Sequence, residues 1–523
     1  MKTPLRITTL IVWAMTTLGA TAQDVDICIY GGTSSGIMAA YTARKQGKTV
    51  LLVEPTDRIG GLTTGGLGMT DIGNPFIMKG YTQDFYLRLG EYYGTEGMHF
   101  KFEPKVALQL YQQMVDEAGI DILYGYRLRK VEKQKNVIRQ CVFENSKNPV
   151  KITRKRVCAR VFIDCSYEGD LMARAGVSYT VGREDNSKYG EMWNGACISK
   201  YHQFPDGISP YVVKDDPKSG LLYGILPGDP TPNGKGDNHI QAYNFRITLT
   251  DDPQNMIPIT EPENYDPSRY ELLIREIEAM PEIKVLNDIF GWDRMPNHKT
   301  DINNRGGLSS DMIGANWKYP DANYKERQKI WKAHLDYTKG LLYFVGHDER
   351  MPESIRKEML TWGYPKDEFL TTDHFTPQLY IRESRRMLGR YIMTEADCNS
   401  KTEIDDAIGW AAYTMDSHNS GRFVVNGMVK NEGDVQIRVP KPYRVSYRAI
   451  TPREEECANL LVPVCLSASH IAYGSIRMEP VFMVLGQSSA LAAIQAIDKQ
   501  LKCVQDVDAK QVYDALEATT KNK

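Results

Sequence analysis

Residues 24–40, DVDICIYGGTSSGIMAA, place an apolar run directly before a glycine-rich turn and a further apolar segment. The nearly continuous apolar run over 24–30 predicts a buried parallel strand. A helix is predicted over 37–46, and Gly47 marks its end. With a second strand predicted over 49–53, the segment has the order and length of one strand–helix–strand unit.

The turn of this unit has the residues that a dinucleotide site needs. Glycine lets backbone amides approach a pyrophosphate, and the N-terminus of the following helix offers unpaired N–H groups. Thr33 replaces one glycine of the common Gly-x-Gly-x-x-Gly pattern, which we expect to alter the loop geometry more than the class of ligand. The residues predicted to hold the phosphates are Gly31, Gly32, Thr33, Ser34, Ser35 and Gly36.

A carboxylate follows at the end of the second predicted strand. Glu54 lies 18 residues after Gly36 (54 − 36), where an acid receives the ribose hydroxyls of a bound dinucleotide, and Pro55 comes next. The alternative is that Glu54 binds no ligand and is an ordinary solvated residue at the end of a strand. An acid at this position favours a ribose without a 2′-phosphate.

Four further segments narrow the prediction. The glycine-rich segment RIGGLTTGGLG (58–68) resembles the second FAD-contacting loop of the glutathione-reductase-like superfamily. FIDCSYEGDL (162–171) resembles a strand end that returns to the cofactor in FAD oxidoreductases. PQLYIRESRRM (377–387) and RMEPVFMVLGQ (477–487) look like segments of a bacterial exported FAD-dependent oxidoreductase family. Some members of that family carry the label xanthan lyase.

The resemblance implies FAD as the cofactor and adds residues to its site. The helix that begins near Pro480 would direct its first amides at the flavin N1–C2=O2 edge, where negative charge accumulates on reduction. The additional residues implied are Arg58, Gly60, Gly61, Leu62, Thr63, Ser166, Asp170, Glu479, Pro480, Gly486 and Gln487.

The chain of 523 residues is long enough for several domains. The predicted class is α/β: a Rossmann-like, glutathione-reductase-like FAD-binding domain with an inserted β-meander, plus a mixed α+β substrate or cap domain. Meander strands are predicted over 120–132, 137–144, 150–154 and 157–163. The predicted divisions are a signal peptide at 1–22, FAD-binding parts at 23–180 and 371–523, and the substrate or cap domain at 181–370.

Targeting and charge indicate where the protein acts. Lys2 and Arg6 precede a short apolar run that ends in Ala-Thr-Ala, which predicts signal cleavage after Ala22 and a periplasmic or secreted protein without a membrane span after cleavage. The net charge of −2 gives no bulk attraction to nucleic acid. Nine scattered cysteines contain no Cys-x-x-Cys, so we predict no metal site and leave one or two disulfides open.

The predicted function is hydride transfer between a small organic substrate, such as a sugar or alcohol, and flavin N5. His470, Arg477 and His418 are the candidate catalytic residues, as proton acceptor, oxyanion holder and weaker alternative, with structural roles equally open for them. A quinone, dioxygen or a small carrier would accept the electrons. The alternative in another class is an extracytoplasmic polysaccharide lyase or glycan-binding protein.

Overall fold

A computed structural model describes residues 22–521. The predicted signal peptide lies outside these residues, except for its last residue, Ala22. Within the described part, the strands are β1 (Gln23–Tyr30), β2 (Val50–Glu54), β3 (Asp121–Tyr124), β4 (Tyr126–Gln134), β5 (Val137–Asn145), β6 (Lys155–Asp164), β7 (Tyr179–Thr180), β8 (Met256–Pro258), β9 (Phe290–Met295), β10 (Lys299–Asn304), β11 (Gly363–Pro365), β12 (Arg386–Met387), β13 (Ala407–Ala411), β14 (Met415–Ser417), β15 (Gly421–Val425), β16 (Met428–Glu432), β17 (Val435–Ile437), β18 (Tyr443–Ser446) and β19 (Leu460–Leu461).

Among the described residues the helices do not alternate regularly with the strands, because three helices follow one another between β2 and β3. In the described part they are α1 (Ser34–Lys45), α2 (Gly61–Thr64), α3 (Gly80–Tyr93), α4 (Pro104–Ala118), α5 (Asp170–Arg174), α6 (Asn186–Tyr189), α7 (Glu271–Ala279), α8 (Leu286–Ile289), α9 (Tyr324–His347), α10 (Glu353–Met359), α11 (Glu395–Cys398), α12 (His470–Ile476), α13 (Glu479–Asp498) and α14 (Ala509–Ala518).

One sheet organises the molecule, in the order β3-β2-β1-β6-β5-β4. Strands β3, β2, β1 and β6 are parallel, and β19 adds a parallel partner to the second half of β6. Strands β4 and β5 are antiparallel and form the meander with the first half of β6. The carboxyl ends of β1, β2 and β6 meet at one edge, where ligands of open α/β sheets bind. The predicted Rossmann-like class with an inserted meander is confirmed.

Helix α13 is the core helix on this sheet. Its sequence is apolar on all sides, and although it is long and apolar enough to cross a bilayer, 89% of its most apolar window is buried inside the protein. It crosses α1 at Gly486, where a Cβ atom would lie 2.2 Å from Ser35 O. The two backbones therefore approach more closely than any side chain at this position would allow.

The meander differs from the sequence prediction in two segments. The single strand predicted over 120–132 is wrong, because Gly125, with a φ of +70°, divides it into β3, which pairs parallel with β2, and β4, which belongs to the meander. The strand predicted over 150–154 is wrong, because residues Lys151–Thr153 form a single 3₁₀ turn. Asn145 Oδ1 starts the reversal by accepting hydrogen bonds from the amides of Lys147 (3.1 Å) and Asn148 (2.8 Å). This is a local side-chain turn that competes with strand pairing.

The middle of the chain, 181–370, contains short strand pairs and the long helix α9. Arg327 of α9 forms a bidentate ion pair with Asp170 of α5 at 2.7 and 3.0 Å, which ties this segment to the sheet domain. The division at 180 and 370 stays a prediction. All nine cysteines lie in the described part and all are free, so the structure forms neither of the disulfides left open by the sequence.

Candidate active site

The turn between β1 and α1 requires glycine at two positions. Gly31 has a φ of +99°, and a Cβ atom there would lie 2.7 Å from Ser166 N. A Cβ atom on Gly36 would lie 2.0 Å from Gly31 O. Real Cβ contacts are never this short, so both positions exclude every other residue unless the turn moves.

The backbone conformation of Thr33 explains why this turn can depart from the common glycine pattern. Its φ of −67° is one that any residue adopts, so no glycine is needed there. Its hydroxyl accepts from Gly36 N (3.3 Å) and donates to Cys165 O (2.8 Å), which caps α1 and joins the turn to the end of β6.

Glu54 lies directly beside this turn. Its Oε2 accepts from Gly32 N (2.7 Å), and its Oε1 accepts from both the amide (2.8 Å) and the hydroxyl (2.6 Å) of Thr56. The side chain is 7% exposed, and burial raises the pKa of the carboxyl to about 7. A carboxylate has about four acceptor positions, so capacity remains for a further donor.

The second glycine pair packs against the first turn. Gly60 N donates to Gly32 O (2.7 Å), with a φ of +95° at Gly60. A Cβ atom on Gly61 would lie 2.3 Å from the hydroxyl oxygen of Tyr167. Arg58 closes the loop by donating from Nε (2.9 Å) and Nη2 (2.6 Å) to Thr64 O. Two loops predicted to contact one cofactor are therefore in direct contact.

A buried carboxylate gathers three of the predicted segments. Glu479, the first residue of α13, accepts from the hydroxyls of Ser34, Thr63 (3.0 Å) and Tyr167 (2.7 Å). Burial raises the pKa of Glu479, and the three hydroxyl donors oppose that rise. Pro480 follows in the first turn of α13, where a missing N–H costs nothing.

These residues fit a dinucleotide. The first amides of α1 have no intrahelical acceptor. Ser35 Oγ, which is buried without a hydrogen-bond partner among the described residues, faces Gly486 of α13 and not the turn. The glycines at 31, 32 and 36 let the turn pack tightly against the end of β6 and against Glu54, which borders the predicted position of the cofactor. FAD would be held by the turn at 31–36 through its diphosphate and by Glu54 through its ribose.

Other predicted cofactor residues contact protein partners. Ser166 donates to Asp164 Oδ1 (2.6 Å), a carboxyl whose pKa burial raises to about 6. Asp170 is paired with Arg327 and also with Arg385 (2.8 Å). Gln487 accepts from Tyr81 N (2.8 Å) and donates to Thr519 Oγ1 (2.9 Å). Contact between these side chains and the cofactor stays a prediction, as it does for Leu62 and Gly486.

Two candidate catalytic residues meet at β14. Arg477 Nη2 donates to Asp416 Oδ2 (2.9 Å), and His418 Nε2 lies 3.3 Å from the same oxygen. His418 Nδ1 lies 2.8 Å from Asp311 Oδ2. Burial and Arg382 oppose protonation, yet the two aspartates raise the pKa of His418 above its ordinary value. Although burial opposes its ionisation, the neighbouring cations lower the pKa of Asp416 to about 2.

His470 belongs to an adjacent buried network. Its Nε2 lies 2.9 Å from Ser417 Oγ, and its Nδ1 lies 2.8 Å from Glu383 Oε2. Arg386 donates to Glu383 Oε1 (2.8 Å) and to Glu184 Oε1 (2.8 Å). Burial opposes ionisation of Glu383, but His470 and Arg386 hold its pKa below the ordinary value. His470 therefore contacts Ser417 of β14, which is the residue next to Asp416, the partner of Arg477 and His418.

The structure adds a residue group that the sequence did not single out. Tyr380 lies among three guanidinium groups, 4.5 Å from that of Arg382, 5.8 Å from that of Arg477 and 5.9 Å from that of Arg246. Arg382 lies within the segment 377–387, but the resemblance gave it no role. Arg246 and Asp311 lie in the weakly periodic middle segment, where no sequence signal marked them.

Fold and site together define a dinucleotide-binding α/β enzyme. The family model described as FAD dependent oxidoreductase matches residues 26–516. The chain therefore belongs to the FAD dependent oxidoreductase family, with FAD as its cofactor and oxidoreductase as its enzyme class. Within the described residues, no group of three or more His, Cys, Asp or Glu could hold a metal ion.

Solved structures match only in part. THI4 of Thermovibrio ammonificans is 19% identical over 31% of this chain and 66% of that one, with a TM-score of 0.25. A flavoprotein/dehydrogenase of Cytophaga hutchinsonii is 15% identical over 32% and 47%, with a TM-score of 0.23. A 3-ketosteroid-delta4-(5alpha)-dehydrogenase of Rhodococcus jostii RHA1 is 14% identical over 31% and 50%, with a TM-score of 0.22. The chain spans about half to two thirds of these three structures. No curated protein matches it.

Proposed function

We propose that this enzyme transfers a hydride between a small organic substrate and the flavin, with sugars and alcohols as the first substrates to test. The observation that carries the proposal is the glycine turn at 31–36 with Glu54 beside it. Bound FAD would supply N5 as the hydride acceptor or donor. Substrate binding and proton handling then fall to the buried polar groups around β14.

We assign three roles to these groups. Arg477 lies two residues before α13 and is held by its ion pair with Asp416. It would hold a substrate oxyanion or the flavin edge. His418, held between two aspartates, would stabilise the same developing charge as an imidazolium. His470 would accept the proton of a substrate hydroxyl, with its ring held between Glu383 Oε2 and Ser417 Oγ.

Location and electron partner are part of the proposal. The signal segment at 1–22 supports export to the periplasm or beyond, with cleavage after Ala22. A quinone, dioxygen or a small carrier would reoxidise the flavin. N-terminal sequencing of the protein from an expressing bacterium tests the export proposal, since an intact Met1 on cytoplasmic protein would contradict it.

The absorbance of the purified protein tests the flavin assignment. Bands near about 370 and 450 nm that bleach anaerobically with an alcohol or sugar are the expected result. A colourless protein that cleaves a polysaccharide would instead favour the lyase or glycan-binding alternative, which the family match does not support. A flavin band that no alcohol or sugar bleaches would contradict the proposed substrate class but leave the flavin assignment intact.

We expect FAD binding to strengthen as the pH rises through 7. Without cofactor, burial raises the pKa of Glu54 to about 7, so its neutral form dominates below that value. Ribose hydroxyls donate to the charged form, so binding at lower pH must first remove a proton. The dissociation constant of FAD for apoprotein should therefore increase by up to about tenfold per pH unit below 7.

Titrations of apoprotein with FAD from about pH 5.5 to 8.5 measure this slope. Glu54→Gln is the matched control, because it keeps the size of the side chain and removes the titration. The wild type and the variant should differ most in slope on the acid side. Equal slopes for the two proteins would show that Glu54 does not receive the ribose.

His470→Ala should keep its flavin and slow flavin reduction by about 10²-fold or more, the usual contribution of a positioned base. Ser417→Ala is the control, since it removes the 2.9 Å hydrogen bond but leaves the imidazole in place. Stopped-flow reduction across a range of pH separates the two effects. An unchanged rate and pH profile in His470→Ala would leave this residue a structural role only.

A further inference from the structure

The carboxyl of Glu479, the first residue of α13, is a buried acid without a counter-charge. It is 4% exposed and accepts hydrogen bonds from the hydroxyls of Ser34, Thr63 (3.0 Å) and Tyr167 (2.7 Å). No Lys, Arg or His in the described part of the chain forms an ion pair with it. Three neutral donors are therefore its polar partners, and all three lie in segments that were predicted to contact FAD.

The surroundings of Glu479 favour its neutral form. Elsewhere in the protein, the buried acids Glu103 and Glu383 each form an ion pair, with Lys299 and Arg386 respectively. The titratable groups that face Glu479 from the packed elements are neutral tyrosine hydroxyls, those of Tyr86 of α3, Tyr111 of α4 and Tyr167 after β6. Burial raises the pKa of Glu479, and the three hydrogen bonds oppose that rise. A further negative charge nearby would meet no compensating cation.

Ser34 connects Glu479 to the turn that is predicted to hold the diphosphate of FAD. It is the first residue of α1, and its hydroxyl has a single proton, which is donated to Glu479. Phosphate oxygens at the first turn of α1 would compete for this proton. Their charge would also act on the carboxylate through a poorly screening interior, because both side chains are buried. One proton on Glu479 removes both conflicts.

We propose that Glu479 takes up one proton from solvent when FAD binds and keeps it in the loaded enzyme. The neutral carboxyl donates to Ser34 Oγ, and the Ser34 hydroxyl in turn donates to the diphosphate. An O–H bond forms on the carboxylate, and the redox state of the flavin does not change. The inference rests on FAD as the cofactor and on the predicted position of its diphosphate, and it is independent of the proposed substrate.

The pH dependence expected from Glu479 has the opposite sign to that expected from Glu54. Glu54 must lose its proton to receive the ribose, and its pKa of about 7 confines this effect to lower pH. Glu479 must gain a proton, so its pKa is higher with FAD than without. The affinity for FAD therefore falls as the pH rises between these two values, and the dissociation constant should increase there by up to about tenfold per pH unit.

Isothermal titration of the apoprotein with FAD at pH 8, in two buffers of different ionisation enthalpy, counts the protons that are taken up. Glu54 is about nine-tenths ionised at this pH, and the diphosphate does not titrate. We expect an uptake of roughly half a proton per FAD by the wild type and none by Glu479→Gln. Zero uptake by the wild type would overturn the inference, whether or not the variant folds.

Glu191→Gln is the matched control. Glu191 is also buried, and burial raises its pKa to about 7. It accepts hydrogen bonds from the hydroxyl of Ser469 and the amide of Glu395, neither of which belongs to the predicted FAD segments. This variant should keep the wild-type proton count. Loss of uptake in both variants would mean that the proton is not specific to Glu479.

Infrared difference spectra of the FAD-loaded proteins at pH 8 locate the proton. Subtracting the spectrum of Glu479→Gln from that of the wild type should leave the carbonyl stretch of a protonated carboxyl. Subtracting that of Glu191→Gln should leave mainly carboxylate bands. Carboxylate bands for Glu479 would overturn the inference, and an equally strong carboxyl band in the apoprotein would overturn its coupling to FAD.

Ser34→Ala tests the route from the carboxyl to the diphosphate. The affinity of this variant for FAD should fall about tenfold or more, because a hydrogen bond to a charged group is lost. Ser489→Ala is the control, since it removes a buried hydroxyl that has no hydrogen-bond partner in the described chain. Wild-type affinity in Ser34→Ala would contradict a hydrogen bond from Ser34 to the diphosphate.

The outcomes separate this inference from the proposed function. If FAD binds with proton uptake but no alcohol or sugar bleaches it, the proposed substrate class fails and the inference stands. If alcohols or sugars bleach the flavin but FAD binds without proton uptake, the inference fails and the proposed function stands.

Discussion

Gly36→Val should yield a protein that retains no FAD. A Cβ atom at this position would lie 2.0 Å from Gly31 O, and the contact is with backbone rather than with a movable side chain. The helix must therefore move away from the turn that is predicted to hold the diphosphate. Overpacking of this kind costs about 1–3 kcal/mol or more, and the displaced amides would no longer converge on the phosphates.

The measurement is the ratio of flavin to protein after purification and after incubation with excess FAD. Gly47→Ala is the control, because this residue lies at the other end of α1. No atom lies within 4 Å of the Cβ position, so the only cost of the substitution is the strain of a φ of +75°. That strain costs about 1–2 kcal/mol and should leave the ratio near one. A folded Gly36→Val protein with full flavin content would contradict the assignment of the turn.

Arg386→Leu should cause a large loss of stability. The guanidinium is fully buried and pairs with Glu184 and Glu383, so its loss leaves two buried carboxylates without their cation. Breaking such a pair from one side costs about 3–5 kcal/mol. Arg386 also fixes Glu383 beside His470, so flavin reduction should slow in whatever protein still folds.

Urea denaturation followed by tyrosine and tryptophan fluorescence measures the effect on the first cooperative transition. Arg448→Leu is the matched control, because this arginine is 38% exposed and its pair with Asp406 is screened by solvent. We expect a change of at most about 1 kcal/mol there. Comparable losses in the two variants would mean that the buried network adds no more than a surface pair.

The sequence predicted the sheet domain well because its elements are local and strongly periodic. The strand at 24–30, the strand at 49–53 and the start of the helix near Pro480 were predicted to within a few residues of β1, β2 and α13. The strand at 150–154 failed because a side-chain turn at Asn145 outweighs the β-propensity of a few residues. Thr33 was expected to alter the loop geometry, and only its φ could show that the turn needs no glycine there.

The proposed catalytic cluster was predictable only in fragments. His418, Arg477 and His470 were selected one at a time from their neighbours in sequence, and all three lie around β14. Asp311 and Arg246 complete the cluster from more than 60 residues away, within a segment that has no regular pattern. Charge pairs between residues that are distant in sequence produce no periodic pattern in the sequence. Such partners can therefore be identified only from the folded structure.

The carboxylate of Glu479 implies an order of events during biosynthesis. It accepts hydrogen bonds from the hydroxyls of residues 34, 63 and 167. The predicted nucleotide site is therefore completed by a residue that the ribosome adds more than 300 positions after the last of them. An emerging chain can form β1 and α1 early, but their partner helix arrives only near the C-terminus. We therefore expect flavin loading to wait until α13 has been made, and fragments that stop before α13 should accumulate without cofactor.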